Sequence, residues 1–222
     1  MHLWWVMPPD VPLAEVSAVC EVLVPPGLAR LYFWALQASF FDGERSCGAA
    51  HLGLQWNPRF PGSCAANWGG YRPSGEGGGL LTGTESELPS TPGDPNTRDY
   101  HWRPNQPYRF RIHRSPQGWR GEITELASGS VTVVRDLLAG GDRLAQPVVW
   151  SEVFAPCQAP SVRVRWSELR AVMPSGEQVV PQAVRVNYQE PCHNTTVEVD
   201  AVGICQLTNA GRVVPQGAII SV

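Results

Sequence analysis

The sequence contains no lysine, and all 17 of its basic residues are arginine. A lysine acting as a Schiff base or in a phosphate-binding loop is therefore excluded. Charged residues make up only 17% of the chain, and its formal net charge is −3. This balance argues against a nucleic-acid partner, since nucleic-acid binding depends on clustered positive charge.

Long apolar runs are also missing. The apolar stretch at residues 2–7 is too short for a membrane span, and no basic residues precede it as they would in a secretory signal peptide. We therefore expect a soluble chain with no membrane partner and no signal peptide. The compartment stays open between the cytoplasm and a secreted mature fragment.

None of the six cysteines forms a Cys-x-x-Cys pair, the spacing typical of zinc and redox sites. Cys192-His193 with the distant Cys205 is a poor zinc signature, so we expect no metal and no other cofactor. Buried free thiols and one to three disulfides both fit this pattern. The pairs to test first are Cys192 with Cys205 and Cys157 with Cys192.

Glycine, proline and tryptophan are plentiful, with 22, 21 and nine copies. They accompany thirteen short strand-like runs separated by turn residues. The runs are residues 2–7, 14–24, 30–41, 49–56, 63–71, 107–114, 119–126, 130–138, 147–154, 161–172, 181–188, 195–200 and 203–208. Only residues 136–144 and 167–172 could hold a helical turn, and neither keeps a period of 3.6 residues.

This pattern predicts an all-β fold, a two-sheet antiparallel sandwich. We expect one domain over residues 1–222, because sandwiches of this length form single domains. The polar segment at residues 72–98 is predicted to be one long loop, and loops of that length are often functional.

A three-strand meander is predicted over residues 108–138. A tight turn at residues 115–118 sets Arg111 opposite Glu122, and a second turn sets Glu122 opposite Arg135. We interpret this Arg-Glu-Arg ladder as a solvated face whose charges neutralise each other. The alternative is a cationic patch for an acidic sugar.

Three segments resemble uncharacterised bacterial domains allied to the concanavalin A-like lectin and glucanase sandwiches. They are His2-Leu3-Trp4-Trp5-Val6-Met7-Pro8, then residues 30–41, and the hairpin that joins residues 51–57 to residues 67–71. The resemblance covers residues 1–155 and implies a jelly roll with one concave sheet. Many such relatives bind carbohydrate on that sheet and some cleave it, but fold alone does not transfer function.

The catalytic motif of those glucanases, Glu-x-Asp-x-Glu or Glu-x-Asp-x-x-Glu on one strand, is absent. Glu198-Val199-Asp200 lacks the second glutamate. A pair from different strands, such as Glu152 with Glu168, has no support in the sequence. A glycosidase would need two carboxylates beside the scissile bond. Since the sequence supports no such pair, we predict no catalytic residues.

The hairpin at residues 51–71 combines aromatic, amide and imidazole groups, which suit a sugar platform. A one-residue change of register decides whether Trp68 or Asn67 shares the face of His51, and a core position for Trp68 is the alternative. The long loop at residues 72–98 and the nearby Asp99 and Trp102 are expected at the rim of this site. The predicted ligand-binding residues are His51, Gln55, Asn67, Trp68, Tyr71, Asp99 and Trp102.

The function predicted from the sequence is a non-catalytic, lectin-like carbohydrate-binding module whose partner is a glycan. A glycoside hydrolase or polysaccharide lyase of the same superfamily is one alternative. A protein-interaction module that uses an exposed sheet is another.

Overall fold

The computed structural model describes residues 1–9, 11–73, 78–189, 192 and 194–222. These residues form sixteen β-strands and a short 3₁₀ turn at Pro61–Ser63, and none of them lies in an α-helix. Accordingly, no helix in this part of the chain is long and apolar enough to cross a membrane.

The strands, in chain order, are β1 (His2–Val6), β2 (Glu15–Val24), β3 (Tyr32–Asp42), β4 (Arg45–Trp56), β5 (Cys64–Tyr71), β6 (Thr97–Asp99), β7 (Pro107–Ser115), β8 (Gly118–Glu125), β9 (Ser130–Leu137), β10 (Arg143–Val153), β11 (Val162–Val172), β12 (Gln178–Val179), β13 (Ala183–Asn187), β14 (Thr195–Val199), β15 (Ile204–Thr208) and β16 (Ile219–Ser221). The first sheet has the order β16-β13-β1-β10-β3-β4-β5-β6. The second has the order β14-β15-β11-β2-β7-β8-β9, with β12 beside β11.

The predicted all-β sandwich is confirmed, since every pairing between these strands is antiparallel and the two sheets enclose the core. The relation to the concanavalin A-like superfamily remains a prediction. The predicted loop ends in β6, which pairs with β5. Residues 74–77 of that loop lie outside the described part of the chain.

The two-residue period of a strand sorts the side chains of the first sheet into an inner and an outer set. In β3, Trp34 and Leu36 are fully buried in the main core, whereas Phe33 and Ala35 belong to a separate cluster on the outer face. Between the sheets, Phe40 stacks on Trp119 with ring centroids 5.0 Å apart. Such large apolar side chains supply most of the favourable free energy of folding.

One buried polar cluster joins the two sheets. Gln206 of β15 accepts hydrogen bonds from Ser151 of β10 at 2.5 Å and from Trp166 of β11 at 2.8 Å, both on its side-chain oxygen Oε1. All three side chains are buried. Because a buried polar group without a partner is destabilising, these bonds fix which side of β10 faces inward.

The predicted charge ladder is half correct. Arg111 lies opposite Glu122 and their side chains are 3.2 Å apart, as expected. The second turn is a four-residue loop at residues 126–129, since Glu125 pairs with Ser130, and this register places Glu122 opposite Val133. Beyond that pair, a β-bulge between Gly121 and Glu122 adds a residue in β9 and turns Arg135 to the inner face, opposite Gly121.

Arg135 therefore points inward instead of joining the ladder. It is buried and donates hydrogen bonds to the carbonyl oxygen of Trp68, at 3.0 and 3.2 Å, and to the side chain of Asn96. Burial lowers its pKa to about 10. Arg135 thus links β9 of the second sheet to β5 and the long loop of the first.

Of the two cysteine pairs considered, the structure forms Cys157–Cys192, with Cα atoms 5.5 Å apart. Cys205 is a buried free thiol, as is Cys20. The disulfide joins the segment after β10 to the segment before β14, and so holds two irregular stretches together.

We predict that Gly121→Ala destabilises the protein by about 1–3 kcal/mol, because overpacking a core has costs of this size. A Cβ atom at Gly121 would lie 2.7–2.9 Å from atoms of the Trp68 indole. Gly27→Ala is the control, since a Cβ there has no neighbour within 4 Å. Urea unfolding of both variants measures the difference, and an unchanged free energy of unfolding for Gly121→Ala would contradict the packing described.

Candidate functional site

An open groove of about 780 Å³ lies on the outer face of the first sheet. Its walls come from strands β1, β10, β3, β4 and β5 and from the long loop. The side chains that matter most for its chemistry are His2, Phe33, Gln37, His51, Gln55, Asn57, Asn67, Tyr71, Trp150 and Glu152.

Four of the residues predicted from the sequence line this groove: His51, Gln55, Asn67 and Tyr71. The register of β4 with β5 places Asn67 opposite Gly53, which puts its side chain on the His51 face. Asn67 donates a hydrogen bond of 2.9 Å to Thr97 of β6. The structure therefore brings these four together on one sheet face.

The two predicted tryptophans lie elsewhere. Trp68 is 0% exposed in the core, and Trp102 is 2% exposed against Trp34 with ring centroids 5.7 Å apart. The register gives Trp68 the face opposite to Asn67, since it pairs with the core residue Leu52. Trp102 donates a hydrogen bond to the backbone carbonyl of Gln55 and so supports the groove from below.

Asp99 is also separate from the groove lining. It lies on the edge strand β6, opposite Ala65, and one carboxylate oxygen is 3.8 Å from His101. The space above Gly69, which the glycine leaves free, is occupied by Asn96. A Cβ atom at Gly69 would be 2.5 Å from the Asn96 side chain.

A cross-strand row carries the most reactive groups of the groove. Glu152 of β10 pairs with Phe33 of β3, which pairs in turn with Gln55 of β4. Neighbouring strands are about 4.8 Å apart, so the Cα atoms of Glu152 and Gln55 are about 10 Å apart. A carboxylate and a carboxamide thus face the same space from either side of Phe33.

Glu152 has a raised pKa, chiefly because burial desolvates its carboxylate, while the Met1 amino group acts in the opposite direction. The side chain as a whole stays exposed to the groove. No ion pair to Glu152 occurs among the described residues. It is therefore accessible to substrate, and desolvation shifts its pKa in the direction that suits a general acid or base.

Gln55 is held in a fixed orientation. Only 4% of it is exposed, and its Oε1 accepts a hydrogen bond of 2.9 Å from Asn57 Nδ2. Within the described ranges no partner is bound to its Nε2 atom. The amide N–H groups of Gln55 are thus free to donate into the groove.

The two histidines of the groove are neutral at pH 7. Desolvation by burial lowers the pKa of His51 to about 4 and that of His2 to about 4. The His51 ring packs against Trp150 and Phe33, with centroids 5.6 and 5.5 Å away. Apolar rings around an imidazole disfavour its charged form.

The carboxylate pair of Glu152 with Glu168, considered from the sequence, does not form. Glu168 lies on β11 of the second sheet and forms ion pairs with Arg109 and Arg170, so it cannot act together with Glu152. No group of three potential metal ligands occurs in the part of the chain that the structure describes. His193 of the weak zinc signature lies outside those residues.

Glu152, Gln37 and Trp150 were not predicted as site residues. A signal for two of them existed in the alternation of β10, where Val148, Trp150 and Glu152 share one face. What the sequence does not contain is the strand order that places β10 beside β3 and two strands from Gln55.

No protein-family model matches the chain, and no curated protein matches its sequence significantly. Solved structures with a similar fold include scytalidoglutamic peptidase bound to a peptide-based transition-state analogue, with 13% identity, TM-score 0.49, and coverage of 93% of this chain and 96% of that one. A second crystal structure of that peptidase, with a transition-state analogue inhibitor, has 10% identity, TM-score 0.47 and coverage of 92% and 96%.

A third similar structure is SCP-B, described as a member of the eqolisin family of peptidases in complex with the tripeptide Ala-Ile-His. It has 10% identity, TM-score 0.46 and coverage of 93% of this chain and 96% of that one. At these values the similarity concerns the fold and assigns no activity to this chain.

The prediction of a non-catalytic lectin-like module is wrong. The sugar platform on which it rested loses its main ring, because Trp68 is in the core, as is Trp102. An exposed aromatic face is what such a platform needs for contact with sugar C–H groups.

We predict that His51→Gln reduces the loss of stability on acidification. The folded-state pKa of His51 is about 4, below the ordinary 6.5, so the unfolded chain binds the proton first. The stability contributed by the neutral ring is complete above pH 6.5 and is lost as the pH falls from 6.5 to 4. The effect between pH 7 and 4.5 is on the order of 2 kcal/mol.

Urea unfolding at several pH values measures this effect. His101→Gln, which replaces an exposed imidazole, is the control. A His51→Gln protein with the same pH dependence as the wild type would show that the His51 ring is not desolvated in the folded state.

Proposed function

We propose that this protein hydrolyses peptide bonds in the groove of the first sheet, with Glu152 as general base and acid and Gln55 as the oxyanion donor. The observation that supports this is the cross-strand row in which an unpaired carboxylate of raised pKa faces a fixed carboxamide across Phe33.

The reaction follows from these two groups. The Glu152 carboxylate removes a proton from a water molecule as that water attacks the carbonyl carbon of the peptide. The Nε2 group of Gln55 donates a hydrogen bond to the oxygen, which becomes negatively charged. Protonated Glu152 then gives its proton to the nitrogen as the C–N bond breaks, and this releases an amine and a carboxylic acid.

The number of carboxylates favours acyl chemistry over glycoside cleavage. Glycosidases use two carboxyl groups that flank the scissile bond. The described groove lining has one other carboxylate, Asp94, and it forms an ion pair of 3.3 Å with Arg59. Hydrolysis of an amide needs one base and one oxyanion donor, and the Glu152–Gln55 row supplies both.

A peptide fits the shape of the site. The groove is open and lies across several strands, and Asn67 and Gln37 present side-chain amides along it. Amide groups can hydrogen-bond to a peptide backbone whatever its sequence. The folds of the similar structures accord with this proposal, but they do not carry it.

We predict that Glu152→Gln lowers the rate of peptide cleavage at least about 100-fold, because general acid–base catalysis contributes a factor of this size or more. A mixture of random peptides and a reduced, alkylated protein are incubated with the enzyme between pH 3 and 8, and products are identified by mass spectrometry. The matched control is Glu198→Gln, the same change on β14 of the second sheet, which is expected to keep the wild-type rate.

Gln55→Ala is expected to reduce the rate by a factor of about 100, as the loss of an oxyanion-hole donor does elsewhere. The proposal is wrong if the wild type cleaves no peptide at any pH, or if Glu152→Gln cleaves at the wild-type rate.

We predict that the activity falls as the pH is lowered through the raised pKa of Glu152. The base must be ionised to accept a proton from water, so the rate increases with pH until the carboxylate is fully formed. Desolvation places the midpoint above the ordinary 4.5. The pH profile of kcat/KM tests this, and a midpoint at or below 4.5 would contradict the desolvated environment.

A further inference from the structure

Three rings form a packed group on the floor of the groove. Phe33, His51 and Trp150, which we call the aromatic triad, contact one another edge to face with centroids 4.8, 5.5 and 5.6 Å apart. Phe33 and Trp150 are 4% and 6% exposed and cluster with Ala35 and Val148, apart from the main core. The outer face of an antiparallel sheet is usually polar, so this apolar cluster requires an explanation.

The aromatic triad lies next to the cross-strand row of Glu152, Phe33 and Gln55. Phe33 belongs to both, since it lies between Glu152 and Gln55. Trp150 is two residues before Glu152 on the same face of β10. A side chain next to a bond placed between Glu152 and Gln55 would therefore rest on the triad.

Apart from Glu152, the residues that pair with the triad across the sheet are uncharged. His51 is neutral, and Gln37, which pairs with His51, accepts a hydrogen bond of 3.1 Å from the Trp150 indole. Glu152 is the one acidic residue among these partners. In the Glu152→Gln protein, a charged side chain of either sign placed on the triad would therefore lose its water without gaining a counterion from them, which is strongly unfavourable.

Small residues next to the aromatic triad leave space for its rings on the sheet surface. Trp150 pairs with Ala35, and Ala35 with Gly53. A Cβ atom at Gly53 would lie 1.9 Å from the carbonyl oxygen of Trp34, so only glycine fits there. The rings of the triad can consequently lie over the sheet without a bulky side chain beneath them.

We propose that the aromatic triad is a specificity subsite that binds an uncharged apolar side chain, aliphatic or aromatic, of a peptide whose neighbouring bond lies between Glu152 and Gln55. This inference rests on the proposed peptide hydrolysis for its orientation, but binding can be measured without cleavage.

The test uses the Glu152→Gln protein and calorimetric titration with four tripeptides, acetyl-Ala-X-Ala-amide, in which X is Phe, Leu, Lys or Glu. We expect the Phe and Leu peptides to bind at least tenfold more tightly than the Lys and Glu peptides. Equal affinities for all four, or tighter binding of a charged peptide, would overturn the subsite.

A second variant places a charge at the triad with little change of shape. Gln37→Glu keeps an oxygen acceptor for the Trp150 indole and adds a carboxylate next to His51. In the Glu152→Gln background it should raise the affinity for the Lys peptide relative to the Phe peptide at least tenfold. The matched control is Gln178→Glu on β12 of the second sheet, which should leave the order of affinities unchanged.

Near-ultraviolet circular dichroism shows whether each variant is folded. If Gln37→Glu does not fold, the titration of the Glu152→Gln protein alone tests the subsite.

Cleavage by the wild type distinguishes the proposed subsite from the proposed hydrolase activity. If the protein binds apolar peptides selectively but cleaves none, the proposed hydrolase activity is wrong and the proposed subsite is supported. If it cleaves peptides without preference for apolar side chains, the proposed subsite is wrong and the hydrolase activity is supported.

Discussion

The hydrogen bonds between Ser151, Gln206 and Trp166 fix the geometry on which the candidate site depends. Ser151 must face inward to reach Gln206 at 2.5 Å, and the two-residue period of β10 then turns its neighbour Glu152 outward. If β10 faced the other way, the Glu152 carboxylate would be buried in the core, and the Gln206 amide there would lose its hydrogen bond from Ser151. One buried polar cluster thus connects the packing of both sheets to the chemistry of the groove.

The groove combines apolar aromatic rings with ionisable side chains on one outer sheet face. Its apolar rings desolvate the neighbouring groups, and this keeps His51 neutral and raises the pKa of Glu152. In the proposed subsite the same rings would give a peptide side chain an apolar contact. Reactivity and selectivity would therefore share one physical cause, the low polarity around Phe33 and Trp150.

Much of the fold could be predicted because inward-facing and outward-facing residues alternate along a strand, and this alternation is visible in consecutive residues, as in β3 and β7. The position of Trp68 could not be settled, since the neighbouring glycines give no preference for either face. Arg135 was misplaced because the turn after β8 is two residues longer than expected and because counting from a turn does not reveal a bulge. The pairing of Glu152 with Gln55 depends on strand order, which local periodicity does not encode.

The burial of the tryptophans determines what optical spectroscopy can observe in this protein. Trp34, Trp68, Trp119 and Trp166 are held in a rigid apolar interior, whereas Trp150 is the indole that lines the groove. Emission from the intact protein will be short in wavelength, because seven of the nine indoles are buried. Its red shift reports unfolding, and occupancy of the groove appears only as a small change on that background.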